Sequence, residues 1–198
     1  MSSEDKFVGN YEREFIELVP RITVTGQGGT SLGGVKEGIV AAKGYLRDLE
    51  ATRGKIMLVG NGASASIASH MATDLWKNGG IRATAFNDSS LLTCISNDCS
   101  YQDVFRVPVE MFADKGDVLV CISSSGRSAN ILGAAGAGKK KGCRVMTLTG
   151  FEPDNPLRKM GDINFYVPSP NYGPVEILHT YVLHCLNDLI IAENQSGG

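Results

Sequence analysis

The chain has 198 residues, with 19 Lys and Arg against 21 Asp and Glu and a formal charge of −2. Hydrophobic residues make up 42% and charged residues 20%, which sustains one folded core and excludes disordered, collagen-like and coiled-coil chains. The near-neutral balance leaves no electrostatic footprint for DNA or an anionic membrane, and no apolar stretch approaches the ~20 residues that span a bilayer, so neither nucleic acid nor membrane is an expected partner.

The spacing of Phe7, Tyr11, Phe15 and Leu18 predicts a helix over about 5–19. A glycine-rich stretch follows, from Gly26 to Gly34. It lacks the Lys-Ser/Thr that would complete a P-loop and reads as a flexible connector. A second helix is expected over roughly 35–52. From there short apolar runs alternate with helices. Strands are expected at Lys55–Val59, Ala83–Phe86, Asp117–Ile122, Arg144–Thr149 and Asn164–Val167, and helices from Ser64 to about Lys77, from Ser128 to Lys141, and from Pro174 to about Glu193. Lys139, Lys140 and Lys141 before Gly142 read as a helix end, where cations suit the dipole, rather than as a nucleic-acid patch. Fully apolar strands alternating with helices indicate a parallel sheet covered on both faces. The expected class is α/β, a three-layer αβα sandwich around a central parallel five-stranded sheet, with N-terminal helices and no second domain.

The N-terminal residues Met1–Lys6 are polar and acidic, unlike a signal peptide. The five cysteines are odd in number and lack metal-type spacing; Cys94, Cys121 and Cys185 sit in apolar runs and read, like the other two, as core thiols without chemistry. A reducing, cytoplasmic setting is the corresponding expectation.

Two of the expected strands end in unusual loops that lead directly into helices. The first is Gly60-Asn61-Gly62-Ala63-Ser64 and the second Ser123-Ser124-Ser125-Gly126-Arg127-Ser128. Free backbone N–H groups and the dipole at a helix N-terminus favour an anion, and clustered serine hydroxyls can wrap a phosphate without fixed charge. Serine also serves as an ordinary cap and turn residue, but four within six positions favour a phosphorylated small molecule. The chain has three histidines. His70 stands one turn before Asp74 on the helix leaving the first loop, a pair able to bind a metal or shuttle a proton. His179 reads as structural, and His184 shares the last helix with it and with Glu176.

The two loops, His70 with Asp74, Asn97-Asp98, and Glu176 with His184 occur in the order seen in phosphoheptose isomerases, and over about residues 35–193 the chain resembles that family of sugar-isomerase (SIS) domain proteins. The resemblance implies a flavodoxin-like SIS domain over 35–195, with 1–34 as a preceding helix and glycine-rich loop. It implies conversion of D-sedoheptulose 7-phosphate to D-glycero-D-manno-heptose 7-phosphate, the first step of nucleotide-activated heptose biosynthesis. By position, Asn61, Gly62, Ala63 and Ser64 line the sugar phosphate, Asn97 and Asp98 bind substrate, and Ser123, Ser124, Ser125 and Ser128 hold the phosphate. Asp74 and Glu176 also face substrate. His70, Asp74, Glu176 and His184 match positions that hold one Zn2+ per subunit in some members, and Asp74 and His184 match the acid/base pair. The family forms homotetramers with active sites between subunits.

Departures from the pattern bear on mechanism. The family's glutamate is Asp74 here, its glutamine is Glu176, the asparagine after the second loop's glycine is Arg127, and residues 22–34 have no recognised counterpart. A carboxylate at 176 is a better ligand than an amide for a hard or borderline cation. Glu176 and His184 are eight residues apart, which puts them about 12 Å apart along one helix, so a shared ion requires Glu176 to precede the helix or to come from another chain. Pro174 marks an early start and favours the second arrangement. Asp74 is assigned as base at carbon and His184 as partner at oxygen, with the exchange of these roles open. The rival readings are a non-catalytic SIS protein that binds a replication initiator or senses sugar phosphates, and an isomerase of another sugar phosphate. The histidines at 70 and 184 favour the enzyme.

Overall fold

The computed structural model describes residues 2–196. In chain order these form α1 (Ser3–Leu18), β1 (Thr23–Gly26), β2 (Ser31–Gly33), α2 (Val35–Thr52), β3 (Ile56–Gly60), α3 (Ala63–Lys77) and β4 (Ala83–Ala85). There follow α4 (Ser89–Asp98), α5 (Arg106–Phe112), β5 (Val118–Ser123), α6 (Ala129–Lys141), β6 (Arg144–Thr149), β7 (Ile163–Tyr166) and α7 (Tyr172–Ser196).

The sheet has seven strands in the order β2-β1-β7-β6-β5-β3-β4. Its parallel part is the five-stranded β7-β6-β5-β3-β4; β1 and β2 extend one edge as an antiparallel hairpin. The expected five-strand count is thus two short, and the glycine-rich stretch is not a loose connector. Its glycines form the turn of the hairpin, and Thr23–Gly26 pairs residue for residue with Ile163–Tyr166. The hairpin was hidden because its strands are three or four residues long and lack a sustained apolar run.

Strand side chains alternate between two cores. Ile56 and Leu58 of β3 point with Val118, Val120 and Ile122 of β5 into a core closed by α2, α3 and α7. Met57 and Val59 point the other way with Leu119 and Cys121, under α5 and α6. These fully buried strands give the continuous apolar runs seen in the sequence. Asp117 ties the opposite ends of β3 and β5: its buried carboxylate accepts from the Lys55 amide at 2.9 Å, the Lys55 Nζ at 2.6 Å and the Asp114 amide at 2.9 Å.

Two further expectations change. Cys94 is exposed, because α4 turns Leu91, Leu92 and Ile95 toward the core instead; Cys99 is also exposed, Cys185 half-buried, and Cys121 and Cys143 buried. Burial pushes the Cys143 thiol up to about 11 and raises that of Cys121 as well, so neither is a nucleophile at neutral pH. Helix α7 is long and apolar enough by composition to pass for a membrane span. Here that apolarity faces protein: Val182, Leu183, Leu186 and Ile190 belong to the core shared with α2 and α3.

Candidate active site

The chain order places β4 on one side of β3 and β5 on the other, so the sheet reverses direction of growth between β3 and β5. Ligands in open parallel sheets bind at such a switch point, beyond the carboxyl ends of the strands. A cavity of about 240 Å³ opens there, lined by Asn61, Gly62, Ala63, Ser64, Ile122, Ser123, Ser124, Ser125, Ser128, Tyr172 and Glu176. Three helices begin at this cavity: α3 at Ala63, α6 just after its N-cap Ser128, and α7 at Tyr172. Their dipoles and free amides present positive ends to one space, an arrangement suited to a phosphate dianion.

The loops are held in shape by close backbone packing. A side chain on Gly60 would place its Cβ 2.4 Å from the Ser64 carbonyl oxygen, so only glycine lets the chain turn from β3 into α3. In the second loop Gly126 adopts φ 61° against Asn155, donates its amide to the Ser123 hydroxyl at 3.2 Å, and a Cβ there would lie 2.0 Å from Asn155 Oδ1. Ser123 and Ser128 hydroxyls stand 3.4 Å apart, while Ser64, Ser123 and Ser124 are buried.

Asn61 is turned toward α6. Its amide exchanges two hydrogen bonds with that of Asn130, at 2.9 and 3.0 Å, and its Oδ1 also accepts from Tyr101 at 3.1 Å. Asn130 thus locks the first loop to the second. Neither Asn130 nor Tyr172 was singled out from the sequence. The signal for Asn130 was its place two residues after Ser128 in the first turn of a helix leaving the serine loop.

The histidine cluster lies further along α3 and α7. His70 Nε2 stands 3.3 Å from His184 Nε2, and His184 Nδ1 stands 3.6 Å from Asp74 Oδ2. One ligand atom from each of His70, Asp74 and His184 falls within 4.8 Å of the others. Asp74 Oδ2 accepts from Asn187 Nδ2 at 2.9 Å, and its Oδ1 accepts from Asn78. Two imidazoles and one carboxylate form the nitrogen–oxygen donor set that zinc favours, and facing Nε2 atoms leave both rings' lone pairs available to an ion. The residues fit a zinc ion.

Glu176 is not part of this cluster. It lies inside α7, with Tyr172 at the serine cavity, and burial alone raises its carboxyl above the ordinary carboxylate value. The helix begins at Tyr172, so Glu176 and His184 share one continuous helix and stand about 12 Å apart along it. Asn97 and Asp98 are exposed at the end of α4, bonded to each other at 2.8 Å, and do not line the serine cavity. Arg127 points outward to Asp154 at 3.4 Å.

The SIS domain family model matches residues 35–150. Among curated relatives, a phosphoheptose isomerase of Sodalis glossinidius is 40% identical over 151 residues, which is 73% of this chain and 77% of the relative. One from Proteus mirabilis is 37% identical over 163 residues, 79% of this chain and 84% of the relative. Among solved structures, a phosphoheptose isomerase from Neisseria gonorrhoeae superposes with a TM-score of 0.82 at 28% identity, covering 96% of this chain and 99% of that one. The domain match across the serine loops, and relatives that share most of their length with it, place this chain in the phosphoheptose isomerase family of SIS-domain proteins.

Proposed function

We propose that the protein isomerises D-sedoheptulose 7-phosphate to D-glycero-D-manno-heptose 7-phosphate, supplying the aldose phosphate that begins nucleotide-activated heptose synthesis. The observation that carries this reading is the cluster of a carboxylate and two imidazoles standing on the same two helices that open the serine-lined anion cavity. Each chain therefore carries an anchor for phosphate and an acid–base group for the reacting carbons, and the assembly sets the anchor of one chain beside the acid–base group of the next.

Ser123, Ser124, Ser125 and Ser128, with the amides of Gly62, Ala63 and Ser64, hold the phosphate. Asn61 orients the first loop through Asn130. Asp74 takes the proton from C1 of the ketose, which leaves an enediol, and the proton is returned to C2. His184 moves the hydroxyl proton between O1 and O2, so the carbonyl passes from C2 to C1 with no net change in protons or electrons. Asn97 and Asp98 reach substrate only if the loop end of α4 closes over the cavity. His70, Asp74 and His184 would hold a Zn2+ ion, which would supply Lewis-acid polarisation of the substrate carbonyl in place of the His184 proton shuttle.

The 12 Å between Glu176 and His184 means that an ion at one chain's cluster cannot take Glu176 from the same chain. We assign Glu176 to the cluster of a neighbouring subunit, within a homotetramer whose active sites each combine the serine cavity of one chain with the cluster of the next. An apolar groove of about 560 Å³ between α2, α7 and the end of α1, lined in part by Val19, Val40, Tyr181 and Leu189, supports an oligomer. Residues 35–195 act as the SIS domain, with residues 1–34 as an N-terminal addition. The inert buried thiols agree with a cytoplasmic setting.

The test is a mass-spectrometric assay with sedoheptulose 7-phosphate, with added zinc and with chelator. Formation of an aldoheptose 7-phosphate that chelator abolishes supports both the activity and the metal. Formation that survives chelation removes the metal and leaves a proton relay. No product from this substrate, with turnover of a pentose or hexose phosphate instead, would transfer the reading to that sugar.

A further inference from the structure

Asn187 is fully buried in α7, one turn beyond His184, beside the core residues Leu183, Leu186 and Ile190. Its Nδ2 donates to Asp74 Oδ2 at 2.9 Å, whereas its Oδ1 is buried with no hydrogen-bond partner. That oxygen lies over Gly79, where an added Cβ would come within 2.6 Å of it. A buried amide with half its hydrogen-bonding capacity unmet is a poor choice for stability, because an apolar side chain of similar volume would fill the same space without an orphaned acceptor. What the amide does provide is direction. Residues 184 and 187 lie on one face of α7, so the same helix turn presents the His184 ring and the Asn187 amide to a single carboxylate oxygen. Asn78, one turn after Asp74 on α3, takes the other oxygen.

We infer that Asn187 is a positioning residue for proton transfer: it fixes the plane of the Asp74 carboxylate relative to His184. This rests on Asp74 and His184 being the acid–base pair. Aspartate has two side-chain torsions: the first places the carboxylate and the second is free to turn its plane. Donors on both oxygens remove that freedom. The space over Gly79 receives the amide oxygen, and the acceptor Asp74 Oδ2 selects the orientation that turns Nδ2 toward it. Groups that orient a ligand or a base in this way act through it, and their loss typically costs 10–100-fold in activity or metal affinity, as a general range.

The experiment uses the assembled wild-type protein and Asn187→Leu. The expected result is a kcat at least about tenfold lower, a KM within about twofold of the wild type, and a thermal midpoint unchanged or raised. Cobalt(II) titrated into metal-free protein should bind about tenfold more weakly to the variant by its visible absorption. A folded Asn187→Leu protein with wild-type kcat overturns the inference, as does a lowered thermal midpoint with kcat retained, which would make Asn187 a packing residue. If leucine prevents folding, Asn187→Ala decides: it removes the donor without adding bulk, so kcat should fall with KM unchanged, and a retained kcat overturns the inference. Should the wild type fail to turn over the heptulose phosphate, the reading of function fails. The cobalt titration then judges Asn187 alone, and equal affinity in both proteins overturns its role.

Discussion

Asp74 and His179 show two opposite uses of buried polarity among the residues of these helices. Asp74 keeps a carboxylate beside two imidazoles by surrounding it with amide donors, while His179 is sealed away as a neutral ring. His179 Nε2 donates to the Thr149 carbonyl at 3.1 Å, and burial lowers its pKa to about 4. The unfolded chain takes up a proton below about pH 6.5, whereas the folded protein resists it until about 4. The stability this group contributes is therefore complete above about pH 7 and is lost as pH falls from about 6.5 to 4, by up to about 1.4 kcal/mol per pH unit. Urea midpoints measured from pH 4.5 to 7.5 should show this slope in the wild type and a flatter one in His179→Gln; an identical slope in both would assign the effect elsewhere. The reading of His179 as structural came from its being a lone histidine, and the placement of His70 and Asp74 on one helix face from their four-residue spacing; that His184 stands between them came only from the fold. Asn187 and Asn130 were not: an asparagine in a helix is ordinary, and its partners come from other elements, sixty to over a hundred residues away along the chain.

Among the elements, strand and helix positions in the parallel part of the sheet followed directly from the apolar runs, since β3, β5, β6 and β7 are buried on both faces and the edge strand β4 is partly exposed. The hairpin β1–β2 and helices α4 and α5 did not. The hairpin is short and glycine-rich, and the stretch from 87 to 116 mixes exposed and half-buried positions without a clean period. The serine loops were legible as strand-to-helix turns that line one cavity because serine, glycine and a following helix share one local geometry. Gly126 is the residue on which that geometry depends most. Gly126→Ala combines a left-handed backbone with a clash against Asn155, and should cost about 1–3 kcal/mol of stability. It should also raise KM for the sugar phosphate at least about tenfold while leaving cobalt binding at the cluster unchanged. Steady-state kinetics beside a cobalt titration separate the two effects, and a KM equal to that of the wild type would remove the second loop from phosphate binding.

At the scale of the whole molecule, the proposed homotetramer joins the halves of each active site from two chains. Val40 and Tyr181 are 58% and 40% exposed on the apolar groove, which the proposed assembly would cover. Val40→Asp combined with Tyr181→Asp should shift the mass in solution from a tetramer to a single chain of 21.1 kDa, with loss of turnover. Complementation is a sharper check. At substrate well below the raised KM, Gly126→Ala chains turn over weakly and Asp74→Asn chains not at all, and the two should recover up to about a quarter of wild-type turnover when unfolded and reassembled together. Mixtures that gain no turnover would return both halves of the site to one chain.

The central claim is proton transfer at carbon by Asp74, and isomerisation in D2O tests it most directly. Followed by NMR, the wild-type protein should convert sedoheptulose 7-phosphate to an aldoheptose 7-phosphate that carries solvent deuterium at C2, and folded Asp74→Asn should give neither conversion nor exchange. An Asp74→Asn protein that converts and exchanges at the wild-type rate would contradict the account.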